Sequence, residues 1–110
     1  MERIEFLVQG SAVEPYRVTF MKEGTNLSAY CTCPAGENGQ YCKHRFSILE
    51  GSTKGIVSEN AADAATVISW LAGTDVQAAM IEVKRLEAEA AELTKRLSRA
   101  KKSLARAMLN

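Results

Sequence analysis

Hydrophobic residues alternate with polar ones over the first third of the chain, which is the pattern of strands with one buried face. Runs of this kind, rich in β-branched and aromatic residues, predict strands at residues 3–9, 16–20 and 27–31. The segment 22–26 contains a glycine and predicts a hairpin loop between the second and third strands. Pro34 cannot donate a backbone hydrogen bond, so the third strand should end near Cys33.

The spacing of apolar residues becomes helical beyond this point. A short helix is predicted over residues 42–50, where Phe46 and Leu49 lie three residues apart. Ser58 is predicted to cap a second helix that begins at Glu59, and the apolar stripe of that helix extends over residues 61–72. A small antiparallel sheet combined with these helices makes the predicted fold class α+β.

The last third of the chain predicts one long helix that could extend from Asp75 almost to Asn110, because it contains neither glycine nor proline. Thr74 followed by Gln77 resembles a capping box at its start. Apolar residues recur every seven residues at two positions of a heptad, which is typical of a coiled coil. The first set is Val76, Val83, Ala90, Leu97 and Leu104, and the second is Ala79, Leu86, Leu93, Ala100 and Ala107.

These patterns predict a first domain at residues 1–57, a connecting helix at 58–73 and a coiled-coil helix at 74–110. No apolar run reaches the 18 or so residues of a transmembrane helix, so no membrane association is expected. The first residues lack the features of a signal peptide, and the number of cysteines is odd. We therefore expect reduced thiols and a cytoplasmic location.

Two short motifs, Cys31-x-Cys33 and Cys42-x-His44, contain every cysteine and the only histidine of the chain. Three thiols and one imidazole form a complete tetrahedral ligand set for zinc. In the alternative interpretation the cysteines are ordinary buried residues and the histidine is a surface group. That alternative does not explain why four scarce residues fall in two pairs around a glycine-containing loop. The spacing predicts one bound zinc ion.

The predicted elements bring the two pairs together. Residues two apart on a strand project to the same face, so Cys31 and Cys33 should aim both sulfurs at one point. Cys42 is expected just before a helix with His44 in its first turn, and Gly36 and Gly39 are expected to supply unusual backbone angles to the intervening loop, residues 35–41. Because protein atoms fill all four positions, the zinc is predicted to be structural and the protein not to be an enzyme.

The C-x-C and C-x-H pairs resemble the SWIM-type zinc finger, and the similarity extends over about residues 15–51. It includes both strands before the first pair, the Cys42-Lys43-His44 triplet and the apolar helix that follows. The resemblance implies a ββα zinc fold with Cys31, Cys33, Cys42 and His44 as ligands. SWIM fingers occur in transposases, chromatin-remodelling ATPases, ubiquitin ligases and recombination factors, as DNA-binding or protein-interaction modules. The catalytic domains of those larger proteins are not expected in 110 residues.

The long helix carries acidic residues mainly in its first half and only basic residues in its second half, whereas the net charge of the whole chain is +1. This polarity complements the helix dipole and is also common on solvated helices. A parallel dimer would oppose Glu82 to Glu87 and Arg96 to Lys101, which repel. An antiparallel arrangement brings Glu89 near Arg96, so an antiparallel homodimer is predicted, and folding of the helix back onto residues 61–72 is the alternative.

The sequence leaves two classes of binding partner open, DNA and another protein. DNA is the first choice, because basic residues flank the zinc ligands and cluster on the helix, where they can contact phosphates. The second choice is a protein partner, which would make the chain an adaptor within a larger complex. The residues predicted to contact nucleic acid are Lys43, Arg45, Arg99, Lys101, Lys102 and Arg106.

Overall fold

The computed structural model describes residues 1–109. The strands are β1 (Glu2–Val8), β2 (Tyr16–Glu23) and β3 (Asn26–Cys31), and the helices are α1 (Pro34–Glu37), α2 (Lys43–Leu49), α3 (Ala64–Ser69) and α4 (Asp75–Ala107). A 3₁₀ turn at Ala61–Asp63 precedes α3. The strands form one antiparallel sheet in the order β1-β2-β3. This arrangement confirms the predicted α+β class.

Buried residues alternate with exposed ones towards the end of β1, as the sequence pattern predicts, whereas Val18, Thr19 and Phe20 of β2 are all buried. Phe6 on β1 is fully buried and lies opposite Val18 on β2. Phe6 also packs edge-on against Phe20, with ring centroids 6.0 Å apart. Ile48 and Leu49 of α2 are buried as well. β1 therefore shares one hydrophobic core with β2 and α2.

Two predicted loops are shorter or more ordered than the sequence indicates. The hairpin between β2 and β3 pairs Glu23 with Asn26, so only two residues form its turn. Gly24 occupies the left-handed region with φ of 59°, which allows a turn this tight. The segment predicted as a loop at residues 35–41 begins as the single helical turn α1, because Pro34 has a φ suited to a first helical position.

The chain after α2 returns along the outer edge of β1. The backbone N–H of Gln9 donates to Gly55, and that of Val57 donates to Leu7. Ser58 Oγ accepts from the backbone N–H of Leu7 at 3.1 Å. The prediction that Ser58 caps a helix is therefore wrong. Its hydroxyl instead satisfies a polar group that an edge strand would leave unpaired.

The second predicted helix is shorter than the region 59–72. A 3₁₀ turn leads into α3, and Ala64, Val67 and Trp70 are buried at a spacing of three residues. The end of this helical region at Gly73 and the capping box at the start of α4 follow the prediction. Gly73 has a φ of 77°, and Thr74 Oγ1 accepts from the backbone N–H of Gln77 at 3.2 Å. The Gln77 side chain accepts in turn from the backbone N–H of Gly73.

The chain separates into two compact units, Met1–Gln77 and a second that begins at Ala78. The second unit is the continuation of α4, and none of the α4 residues is classed as buried. The large apolar residues Leu86, Leu93, Leu97 and Leu104 are all exposed. Within residues 1–109, no helix has the length and hydrophobicity needed to cross a membrane. The domain boundaries drawn from the sequence stay a prediction.

Candidate metal centre

The four predicted ligand residues come from the ends of three elements. Cys31 is the last residue of β3, and Cys33 is the N-cap of α1. Cys42 is the N-cap of α2, in extended backbone geometry, and His44 lies in the first turn of that helix. Both cysteines that precede helices therefore sit where backbone N–H groups lack partners within the helix. The three cysteines are buried and form no disulfide.

The ligand atoms of these residues all lie within 4.8 Å of one another. The Sγ atoms of Cys33 and Cys42 are 3.3 Å apart. Nδ1 of His44 lies 3.8 Å from Sγ of Cys31 and 3.6 Å from Sγ of Cys42. A zinc ion with bonds of about 2.3 Å to sulfur places tetrahedral sulfurs about 3.8 Å apart. The spacing and chemistry of the donors therefore fit one Zn²⁺ with a filled coordination shell.

Backbone N–H groups surround the sulfurs and favour their ionised form. The N–H of Cys33 donates to Sγ of Cys31 at 3.5 Å, and the N–H of Gly36 donates to Sγ of Cys33 at 3.3 Å. A Cβ added to Gly36 would lie 2.5 Å from the backbone oxygen of Cys31. Gly36 does not have a positive φ, so the prediction of an unusual backbone angle is wrong at this position. The residue must be glycine because the chain passes close to Cys31. Gly39 does have the predicted left-handed geometry, with φ of 69°.

The pKa values of two thiols move in opposite directions. Burial raises the pKa of the Cys31 thiol to about 12, and the backbone N–H of Cys33 offsets only part of this effect. Burial also acts to raise the pKa of Cys42, but the backbone N–H of Arg45 and hydrogen bonds with the other cysteines and His44 outweigh it and lower the pKa to about 6. A divalent cation among the sulfurs removes their mutual repulsion and favours thiolates throughout.

His44 is held by residues that sequence patterns did not identify. The ring of Tyr16 lies 5.0 Å from the His44 ring, measured between centroids. A Cβ added to Gly10 would lie 2.5 Å from the Tyr16 ring and 3.0 Å from Nε2 of His44. Tyr16 therefore packs against the imidazole, and Gly10 lies beside Nε2, the ring nitrogen that does not face the thiols. In the sequence, Tyr16 is only a strand residue and Gly10 only a turn signal, so nothing there linked either residue to the metal.

Comparison with protein-family models matches residues 16–49 to the SWIM zinc finger. The match spans β2, β3, α1 and α2 and contains all four residues of the metal cluster. Residues 16–49 form a SWIM zinc finger. The resemblance seen in the sequence is thus confirmed, together with one structural Zn²⁺ as the cofactor. No curated protein and no solved structure matches the chain.

The two basic residues beside the finger's ligands have different surroundings. Lys43 is exposed at the start of α2. Arg45 is half-buried, and its guanidinium donates to the backbone oxygen of Ala29 at 3.1 Å and to that of Gln40 at 2.6 Å. Its Nε is buried without a partner in the described part of the chain. Arg45 therefore joins α2 to β3 and to the loop before Cys42, while the Lys43 ammonium group faces solvent.

A cavity of about 290 Å³ lies beside the SWIM finger, on the side of His44. Lys43 and Lys54 line it, and none of its described lining residues is acidic. Hydroxyl groups also face it, from Ser11, Ser47 and Ser52. The cavity thus combines two cations with neutral hydrogen-bonding groups. Sequence reasoning had not singled out Lys54, because it lies in a loop, eleven positions after Lys43.

The remaining residues predicted to contact nucleic acid lie on α4, in the second unit. They are exposed, and they are Arg99, Lys101, Lys102 and Arg106. Arg99 forms an ion pair with Glu92, with Nη2 and Oε1 3.6 Å apart. The second half of α4 is therefore a basic, solvent-facing helix.

Proposed function

We propose that this protein is a non-enzymatic binding protein in which a zinc-stabilised SWIM finger contacts DNA and the C-terminal helix mediates self-association as an antiparallel coiled coil. The observation that carries the DNA-binding proposal is the basic cavity beside His44. A cavity with lysines and hydroxyl groups and without acidic lining residues suits a phosphate oxygen. Lys43 and Lys54 are the finger residues assigned to this contact.

We remove one residue, Arg45, from the set that the sequence predicts to contact nucleic acid. Both terminal nitrogens of Arg45 already donate to backbone oxygens. Moving this side chain to a phosphate would leave the part-buried oxygen of Ala29 without its partner, at a cost of about 1–3 kcal/mol, and would also break the exposed bond to Gln40. We therefore assign Arg45 to the internal support of the finger. Lys43, which has no such internal bond among the contacts of residues 1–109, is the better candidate for DNA.

The basic half of α4 supports the same proposal through long-range attraction. Its cations raise the local concentration of a polyanion and contribute a salt-dependent term to affinity. None of the described features supplies base recognition, such as an aromatic residue interleaved with the basic side chains of α4. The proposed contact is therefore with the phosphate backbone, and binding is expected to show little dependence on sequence.

Fluorescence anisotropy with labelled duplex DNA, measured over a series of salt concentrations, tests this proposal on the zinc-loaded chain. Binding should weaken as salt rises, and Lys43→Glu combined with Lys54→Glu should reduce affinity at least about tenfold at low salt. Replacement of Lys101, Lys102 and Arg106 by glutamate should lower the slope of affinity against salt. Arg3→Glu is the control, because Arg3 is exposed on β1 and does not line the cavity. The absence of any binding at low salt would reject DNA as the ligand.

A protein partner is the second candidate function, and exposed aromatic residues favour it. Tyr41 is 63% exposed and stacks on Phe46, with ring centroids 4.8 Å apart. Tyr30 on β3 is 58% exposed. Tyrosine is enriched in protein interfaces because it combines apolar area with a hydroxyl group. Retention of a specific protein partner by the wild type and its loss in Tyr41→Ala, with no DNA binding in either, would favour an adaptor.

The non-enzymatic assignment rests on the donor set of the finger. Zinc ligands from Cys31, Cys33, Cys42 and His44 would fill a tetrahedral shell, and a catalytic zinc needs one position for water or substrate. The chain contains no second histidine to act as a base beside the cluster. Hydrolysis of model phosphate and ester substrates at a rate that depends on these ligands would overturn the assignment.

A further inference from the structure

We propose a specific register for the self-association of α4, in which two copies pack antiparallel with Ala90 of one opposite Leu93 of the other. This inference rests on the proposed coiled-coil function and deepens it by naming the partner as a second copy and by naming the facing residues. It starts from the exposure of the α4 seam, which consists of the heptad positions already described, from Ala79 to Leu104.

The sizes of the seam residues point to this register. In an antiparallel coiled coil, a residue from the first heptad set faces one from the second set. When Ala90 faces Leu93, every alanine of the seam faces a larger residue, and no layer contains two alanines. Each of the following layers occurs twice by symmetry. They pair Ala79 with Leu104, Val83 with Ala100, Leu86 with Leu97, and Ala90 with Leu93.

A parallel, in-register pair has the opposite packing. Each seam residue then faces its own copy, so Ala79, Ala90 and Ala100 would each form a layer of two alanines. Such layers leave voids between helices that larger side chains hold apart, and voids forfeit packing contacts. The alternation of small and large residues therefore favours the antiparallel arrangement independently of charge.

Charges beside the seam select the same register. Glu89 lies beside Arg96 of the second copy, and this attraction occurs twice by symmetry. The other flanking pairs are neutral, since Glu82 lies beside Ser103 and Glu87 beside Thr94. In the single chain, Arg85 holds the Glu89 carboxylate at 2.8 Å. A carboxylate has acceptor sites for both arginines, so the internal pair fixes Glu89 at the edge of the seam without excluding Arg96.

The neighbouring antiparallel registers each introduce like-charge pairs, and one of them also creates a layer of two alanines. A shift by one heptad in one direction brings Glu87 to Lys101 of the second copy, but it sets Arg96 against Arg96 and creates a layer of Ala90 and Ala100. A shift in the other direction leaves no layer of two alanines and pairs Glu82 with Arg96, but it sets Glu89 against Glu89 and Glu87 against Glu87, so its attractions and repulsions cancel. Like charges at facing positions are destabilising, by about as much as opposite charges are stabilising. Only the register with Ala90 opposite Leu93 combines complementary sizes with an absence of like-charge pairs.

Charge reversal and mixing test the register, using the full zinc-loaded chain and sedimentation equilibrium. Glu89→Lys and Arg96→Glu should each raise the dimer dissociation constant about tenfold, since each converts two attractions into two repulsions. An equimolar mixture of the two variants, and the double variant, should recover the wild-type constant. Lys95→Glu is the matched control, because Lys95 adjoins Arg96 but lies off the seam, and its constant should change less than about threefold. Circular dichroism checks that each variant stays helical.

The outcomes separate the register from self-association itself. If the wild type dimerises but Arg96→Glu tightens the dimer, the helices are parallel, because that change relieves repulsion with Lys101. If the wild type dimerises and neither reversal alters the constant, another register or surface mediates the contact. Either result overturns the register and leaves self-association standing. A wild type that stays monomeric at high concentration overturns both.

Discussion

Replacement of Phe6 by alanine is the most direct test of how the SWIM finger gains its stability. Phe6 is fully buried on β1 and packs against Phe20, although β1 lies outside the matched segment 16–49. Truncating a buried phenylalanine costs about 3–5 kcal/mol, because apolar burial is lost and a cavity remains. A domain of this size is stable by only about 5–15 kcal/mol, so this single change should remove a large share of that stability.

The assay is chemical unfolding followed by the fluorescence of Trp70, the only tryptophan and a buried residue of the same compact unit. Helical circular dichroism is less suitable, because α4 contributes much of that signal. Leu7→Ala is the matched control. Leu7 is the next residue on β1, is 37% exposed, and should cost less than about 1 kcal/mol. Equal losses for the two variants would refute the conclusion that β1 is part of the finger's core.

Three further predictions concern the metal. Removal of zinc by a chelator should abolish the native Trp70 emission while much of the helical signal of α4 remains, and simultaneous loss of both signals would contradict this. Zinc affinity, measured by chelator competition, should rise by at least about one log unit per pH unit between pH 7 and 9. Binding displaces the proton of Cys31, whose pKa is raised to about 12, whereas Cys42, with its pKa lowered to about 6, adds to the slope only in acid. A flat profile between pH 7 and 9 would contradict the raised pKa of Cys31. Gly36→Ala should weaken zinc binding about 10–100-fold, because its Cβ would meet the backbone of Cys31. Gly39→Ala is the control and should cost only the strain of a positive φ, about 1–2 kcal/mol.

The sequence predicted those parts of the structure that depend on local periodicity and on scarce chemistry. The strands followed from alternation, and Cys42 as the residue before a helix followed from the poor convergence of two side chains two apart on a helix. The capping pair Thr74 and Gln77 was also identified, because its hydrogen bonds join residues only three or four apart. In each case the relevant contact is made between near neighbours in the chain.

The sequence did not predict features that depend on contacts between distant segments. Ser58 looked like a helix cap but bonds to Leu7, which is 51 positions away. Gly36 looked like a turn residue, whereas its role is to allow close approach to Cys31. Arg45 looked like a free cation near the metal and instead supports backbone oxygens. A residue type indicates what a side chain is able to do, and only the tertiary arrangement decides which partner it meets.

The hydrogen bonds along the outside of β1 cover a strand edge that would otherwise be open. The chain from α2 continues directly into the segment that covers this strand. Two residues of the metal cluster belong to this helix, since Cys42 is its N-cap and His44 lies in its first turn. When zinc is scarce, we expect α2 to lose its anchor and the covering segment to detach with it. A strand with free N–H and C=O groups and an apolar face is then open to intermolecular β-pairing. Cells that limit zinc should therefore accumulate this protein in aggregates or degrade it.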